Sequence, residues 1–248
     1  MKLTTDGLII SEMNIGEQDR LVTVLTRSHG IIRAFVKGAK NIKSSKNAAT
    51  GLLCYSRLDI FSGRDKYIID DAVTQEMFFK LREDIEKLSL AQYFCELMGY
   101  LAPENENAEP YLRLILNTLY FLTNGKRSND ILKAIFELRI LSISGYMPDL
   151  ICCTECGCYE AEKMYFQPVS GTIICGDCLR KSGETAIETG MGVTTAMRHI
   201  IYSPFEKIYS FTLDNEGERL LERVSEIYML TRIDKSFTAL KFYKTMKS

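Results

Sequence analysis

The sequence predicts an α+β chain of several domains, and three observations carry that prediction. Residues 1–78 hold short β-branched and aromatic runs separated by turn signals, which read as one all-β unit. After residue 76 the apolar residues recur at near-helical spacing. Two Cys-x2-Cys pairs, eighteen residues apart, then interrupt the helical part. With 248 residues, 46% apolar and 25% charged, the composition is that of an ordinary globular protein.

The strand-like runs are Leu8-Ile9-Ile10, Leu21-Val22-Thr23-Val24-Leu25, Ile31-Ile32-Arg33-Ala34-Phe35-Val36, Tyr55 to Phe61, and Tyr67-Ile68-Ile69. Asn14-Ile15-Gly16, Ser28-His29-Gly30, Gly38 and Ser62-Gly63-Arg64-Asp65 supply the turns between them. Five short strands in so small a unit predict a closed barrel, for which the OB-fold is the familiar solution. The segment 37–47 is rich in Gly, Ser and Asn, and is expected to be a mobile basic loop rather than a helix.

Beyond the barrel, Leu81, Ile85, Leu88, Cys95 and Met98 mark a helical stripe that stops before Pro103. Pro110 opens a second helix and Asn124-Gly125 closes it; Ser128 caps a third that runs toward Gly145. Further helices are expected near 187–203, 214–230 and 234–247. The domains expected are therefore the barrel at 1–78, a helical domain at 79–149, a metal module at 150–182, and a helical segment at 183–248 that packs with the helical domain.

Cys153, Cys156, Cys175 and Cys178 form the pattern read as a tetrahedral metal site. Four thiolates suit Zn2+, with a rubredoxin-type iron centre as the alternative. Because four protein ligands leave no open position, the site is expected to be structural. Cys152 and Cys158 flank the first pair, and either could replace one of its members. Residues 1–12 contain no positively charged segment followed by a long apolar core, and no apolar run reaches the roughly 18 residues of a membrane span. A cytoplasmic protein is expected, and in that compartment paired cysteines point to metal rather than disulfides. Cys54 and Cys95, in apolar surroundings, read as core residues.

The net charge of −1 says nothing about a polyanionic partner, but its distribution does. From Arg20 to Leu58 there are eight basic residues (Arg20, Arg27, Arg33, Lys37, Lys40, Lys43, Lys46 and Arg57) and no acid. A charge run alone reads as a solvated face. On a small β-barrel it is the footprint of phosphate contacts, so these eight are the candidate DNA-binding residues. Enzyme signatures are missing: there is no Walker loop, no dinucleotide fingerprint, no nucleophile elbow, and no deaminase His-x-Glu. His29 reads as a turn residue, and no catalytic residue is expected.

Three stretches resemble one family, the bacterial RecO recombination mediators. Gly16-Glu17-Gln18-Asp19-Arg20-Leu21-Val22, continuing to Leu25-Thr26-Arg27-Ser28-His29-Gly30 and Lys37-Gly38-Ala39, is similar to the family's amino-terminal pattern. Phe136-Glu137-Leu138-Arg139 through Ser144-Gly145-Tyr146-Met147-Pro148 into Cys153 and Cys156-Gly157, with Ser170-Gly171-Thr172-Ile173-Ile174-Cys175-Gly176-Asp177-Cys178, resembles its helix-to-zinc junction. Asp234-Lys235-Ser236-Phe237 with Lys241-Phe242 is similar to its terminal helix.

The resemblance implies an OB-fold, a helical middle and a zinc module. It also implies a non-catalytic role in DNA repair: binding single- and double-stranded DNA, annealing complementary strands, and helping RecA load onto strands coated by single-strand-binding protein. RecR is the implied partner, and the implied location is cytoplasmic and nucleoid-associated. Two other function classes would share some of these features. A zinc-ribbon adaptor of RNA or transcription machinery would bind RNA more tightly than DNA, and a redox dithiol protein would need a cysteine pair free of metal. OB-folds that bind single strands present stacking aromatics. The basic window supplies only Phe35 and Tyr55, so the expectation is that affinity rests more on phosphate charge than on stacking.

Overall fold

The computed structural model describes residues 2–39, 45–63, 66–183 and 185–247. Contacts divide the chain into two compact units, 1–125 with 237–248, and 126–236.

The first unit is built on the expected five strands, closed into a barrel: β1 (Lys2–Ile15), β2 (Asp19–Thr26), β3 (Gly30–Val36), β4 (Cys54–Ser62) and β5 (Tyr67–Met77). The order is β1-β2-β3-β5-β4, with β4 returning to β1, and only the β3–β5 pair is parallel. Alternation decides the interior: Ile9, Val22, Val24, Ile32, Ala34, Leu58, Ile60 and Ile69 point inward and form one buried cluster.

A short helix, α1 (Ser45–Ala49), follows β3. This corrects the expectation of a loop across the whole of 37–47, at least for residues 45–47. Tertiary contacts override the weak local propensity: Ala49 joins the barrel core, and the Arg20 guanidinium donates to the Asn47 and Thr50 carbonyls at 3.3 and 3.1 Å.

After a 3₁₀ turn at Phe79–Glu83 come α2 (Ile85–Leu101) and α3 (Glu109–Asn124). The Asp84 carboxylate caps α2, and Gly125, at φ 61°, ends α3 in the left-handed conformation glycine favours. The buried side of α2 carries Leu90, Tyr93, Phe94, Leu97 and Met98. Ile85, expected on that side, lies in the first turn and is 54% exposed.

The turn between β2 and β3 is stitched to the α2–α3 connection by three backbone bonds: Ile31 N to Pro103 O, Asn105 N to His29 O, and Ala108 N to Arg27 O, at 2.9, 3.0 and 2.9 Å. Gly30 permits this approach. Its φ is +63°, and a Cβ there would fall 1.9 Å from the Pro103 carbonyl oxygen. The terminal helix α8 (Thr238–Met246) returns to α2, where the Glu96 carboxylate accepts from the Ala239 amide and Phe237 packs edge-on against Tyr93.

In the second unit α4 (Asn129–Ile143), capped by Ser128 as expected, packs against α6 (Gly190–Tyr202) and α7 (Asn215–Arg232). A four-stranded sheet in the order β6-β8-β7-β9 completes the unit, made of β6 (Asp149–Cys153), β7 (Met164–Gln167), β8 (Thr172–Cys175) and β9 (Ile187–Glu188), with α5 (Gly176–Ser182) after β8. Arg198 of α6 fastens the module to the helices. Its guanidinium donates to the carbonyls of Leu150, Ile151 and Tyr159 and stacks 4.0 Å from the Tyr159 ring centroid.

The stretch expected as one helical domain, 79–149, is thus shared, with α2 and α3 in the first unit and α4 in the second. The terminal stretch 183–248 is shared likewise: α8 joins α2, while α6 and α7 join α4. Among the described residues no helix is long and apolar enough to cross a membrane.

Candidate nucleic-acid interface and metal centre

Strand register sorts the eight basic candidates. Arg20 lies opposite Asn14 on β1 and Val36 on β3, on the inward side that Val22 and Val24 share. Besides its bonds to the α1 region it sits 3.2 Å from Glu12, and its side chain is only 12% exposed. Arg20 closes one end of the barrel.

Arg27, at the end of β2, reaches the Tyr55 hydroxyl at 3.4 Å, Asp6 at 3.8 Å and Glu109 at 4.0 Å. The Tyr55 contact, then Asp6 and Glu109, raise its already high pKa. Arg33, Lys37 and Arg57 are exposed, Arg33 and Arg57 on the outward faces of β3 and β4. Lys46 lies on α1, partly exposed. Lys40 and Lys43 lie outside the described residues.

The same register reveals an apolar ladder on the barrel's outer face. Met13 pairs with Leu21, Leu21 with Phe35, Phe35 with Ile68, and Ile68 with Phe61, so one row crosses all five strands. Met13 and Phe61 are 57% and 52% exposed, and the three between them are partly exposed. Arg33 stands two residues from Phe35 on the same face of β3, and Lys37 follows that strand. Acids border the ladder as well: Asp70 is exposed two residues from Ile68 on β5, and Asp59 is satisfied, the Thr4 hydroxyl at 2.6 Å and Lys2 at 3.0 Å holding its carboxyl below the ordinary range. The face thus offers stackable side chains flanked by cations, the two elements of a single-strand platform.

Phe61, Ile68 and Met13 escaped the sequence reading because they lie outside the basic window and meet Phe35 only through cross-strand pairing. The period-two parity of β2 would have revealed that Arg20 points inward.

In the second unit the Sγ atoms of Cys153, Cys156, Cys175 and Cys178 all lie within 4.8 Å of one another, a group that could hold a metal ion. Cys152 and Cys158 are not in that set. Cys153 ends β6 and Cys156 follows in the turn. Cys175 ends β8, and Cys178 lies in the first turn of α5, so sheet pairing brings the two cysteine pairs together.

A zinc ion with Zn–S bonds of about 2.3 Å spaces its sulfurs roughly 3.8 Å apart, and Cys156 Sγ lies 3.7 Å from Cys175 Sγ. Backbone amides are aimed at the thiols. Burial pushes the Cys153 thiol up, but the amides of Cys175, Cys156 and Glu155 outweigh it and bring it down to about 6. The Cys178 amide likewise lowers Cys175. The chemistry of the set fits a soft cation held by thiolates. By contrast, burial pushes the isolated Cys95 thiol up to about 12, the behaviour of a core residue.

Comparison with known families divides the chain after the barrel, between residues 78 and 82, rather than at the boundary of the two compact units. Residues 1–78 match the family model "Recombination protein O N terminal", and residues 82–241 match "Recombination protein O C terminal". A protein of Acetivibrio thermocellus named "DNA repair protein RecO" is 35% identical over 244 residues, covering 98% of this chain and 97% of its own. Proteins bearing that name from Symbiobacterium thermophilum and Dehalococcoides mccartyi are each 31% identical, over 98% and 86% of this chain and 97% and 83% of their own.

Proposed function

The chain belongs to the RecO family, and from that premise we propose that it is a non-catalytic, DNA-binding recombination mediator in DNA repair. It binds single- and double-stranded DNA, anneals complementary strands, and with RecR assists RecA on DNA coated by single-strand-binding protein, in the cytoplasm at the nucleoid. The observation that carries the reading is the outer face of the barrel. Its strand order, with β3 parallel to β5, supports an OB-type platform, and the ladder from Phe35 through Ile68 to Phe61 lies beside Arg33 and Lys37.

Bases stack on aromatic side chains such as Phe35 and Phe61 whatever their identity, with apolar contact from Ile68 between them, and guanidinium and ammonium groups neutralise the phosphates. Annealing follows from the same charges. Two complementary strands repel through their phosphates, and a cationic surface that holds both lowers the repulsion and raises their local concentration. Affinity then falls steeply with salt and varies little with sequence.

We assign Cys153, Cys156, Cys175 and Cys178 as ligands of one structural Zn2+. When bound, the ion supplies folding energy and no reaction chemistry, because the four thiolates fill its coordination sphere. The residues around it do the positioning: the amides at 155, 156, 175 and 178 orient the sulfurs, and Arg198 ties β6 and the Tyr159 carbonyl to α6.

Titration of labelled single-stranded DNA, double-stranded DNA and RNA at several salt concentrations tests the reading. It predicts binding to both DNA forms that weakens with salt. Tighter binding to RNA than to DNA would favour an RNA-associated adaptor instead.

A further inference from the structure

A cavity of about 240 Å³ lies off the barrel's apolar ladder, in the first unit, lined by Arg27, Glu109, Leu112, Arg113, Leu116 and Asn117. Helical spacing builds its floor and rim. Leu112 and Leu116 sit one turn apart on α3, and Glu109, Arg113 and Asn117 form the adjacent row. Arg27 faces them from the end of β2, its backbone locked by the bond from the Ala108 amide to the Arg27 carbonyl. The wall is therefore rigid, whereas the Arg27 side chain is loosely held. Its contacts at 3.4, 3.8 and 4.0 Å are all longer than the 2.7–2.9 Å of a good charge-assisted bond, so a stronger anion can displace them. Glu109 is 56% exposed, and water screens its charge.

An apolar floor, two guanidinium groups and an amide that donate, and one carboxylate that accepts, are groups able to hold a nucleotide. At about 240 Å³ the cavity is smaller than the roughly 300–1,000 Å³ of ordinary ligand pockets, so it excludes a duplex and leaves room for no more than one nucleotide. We infer that this cavity takes one nucleotide of a single DNA strand turned out of its stack, with the phosphate between Arg27 and Arg113 and the base against Leu116, the partly exposed leucine of the floor. Asn117 and Glu109 face the edge of the base. The inference rests on the DNA-binding reading above and adds a contact away from the stacking ladder. Tyr55 and Arg57 occupy successive outward positions on β4 next to Arg27, and Asp59, paired with Lys2, stands between Arg57 and Phe61 of the ladder. A strand held in this way keeps neighbouring bases on the platform and one base out of register with them. That arrangement interrupts self-stacking in the bound strand before it meets its complement.

The test uses the full chain and oligonucleotides carrying 2-aminopurine, a base that brightens when unstacked. The expected result is brightening on binding to the wild type, lost in Arg113→Ala and Asn117→Ala and retained in Lys207→Ala, an exposed position in the second unit. Arg113→Ala should also flatten the log–log salt slope by about 0.7, the share of one single-strand phosphate. Arg113 and Asn117 lie on the accessible side of α3, and circular dichroism of each variant verifies folding. If oligonucleotides bind but the probe stays dark, or if brightening and slope persist in Arg113→Ala, the cavity assignment is overturned while the DNA-binding reading stands. If no oligonucleotide binds, the DNA-binding reading falls and the cavity assignment with it.

Discussion

Lys133 Nζ lies 3.0 Å from Glu137 Oε1 one turn further along α4, and neither side chain reaches solvent. Glu222 and Glu226 of α7 approach the same ammonium at 3.0 and 2.9 Å, so one buried cation joins the two helices that form the centre of the second unit. A buried charge is costly unless matched, and removing one partner strands the others. Lys133→Met should therefore destabilise the second unit by about 3–5 kcal/mol. Urea denaturation checks this; a loss below about 1 kcal/mol, the size of a surface pair, would contradict it.

The same cluster sets an alkaline limit. Burial alone would lower the Lys133 pKa, but Glu137, Glu222 and Glu226 outweigh it and hold it above the ordinary 10.5. A raised folded pKa gives stability that is fully present below the unfolded value and lost as pH rises through the folded one. The stability gap between wild type and Lys133→Met should stay constant from pH 7 to 10 and narrow above about 10.5. A gap that closes between pH 7 and 9 would contradict the assignment.

For the metal module, protein purified under reducing conditions should carry a single tightly held zinc ion, and chelation should lower its melting temperature. Cys153→Ser and Cys178→Ser should each abolish tight metal retention. Cys158→Ser should retain it, since Cys158 lies outside the ligand set. Metal analysis by mass spectrometry decides between these outcomes, and loss of zinc from Cys158→Ser would displace one of the four assigned ligands.

Among the basic residues the structure separates Arg20, tied inward by its bonds, from Arg33 and Arg57, which are exposed. Arg20→Ala should cost about 1–3 kcal/mol of stability, because the Asn47 and Thr50 carbonyls and Glu12 lose their donor, and should leave the salt slope of DNA binding unchanged. Arg33→Ala and Arg57→Ala should do the reverse, each flattening the slope by about 0.7 with little change in melting. Phe61→Ala should weaken single-strand binding by about 1–3 kcal/mol, the share of one stacked base. Melting curves paired with salt titrations distinguish the classes.

Much of this was legible in the sequence because it depends on local signals. β-Branched runs and glycine turns located the five strands, Ser128 and Asn124-Gly125 located helix ends, and Cys-x2-Cys spacing located the four-cysteine cluster. What stayed hidden depends on pairing at long range. Met13, Phe35, Phe61 and Ile68 become one surface only once β3 pairs with β5 and β5 with β4. Lys133 is one residue among many on an apolar helix until α7 brings Glu222 and Glu226 to it. α1 forms against composition because Arg20 and the barrel core hold it there. The partition of the helices between the two units likewise follows from α8 returning to α2, a contact 143 residues apart in its Glu96–Ala239 bond.

The central claim is that a cationic, stackable barrel surface brings complementary strands together without breaking a bond. It is tested most directly by the annealing rate of complementary oligonucleotides, bare or coated with single-strand-binding protein, with no nucleotide added. The account predicts acceleration in both cases, fading with salt on a log–log slope of about −3.5 for roughly five neutralised phosphates. Annealing no faster than the spontaneous rate at modest ionic strength would contradict it.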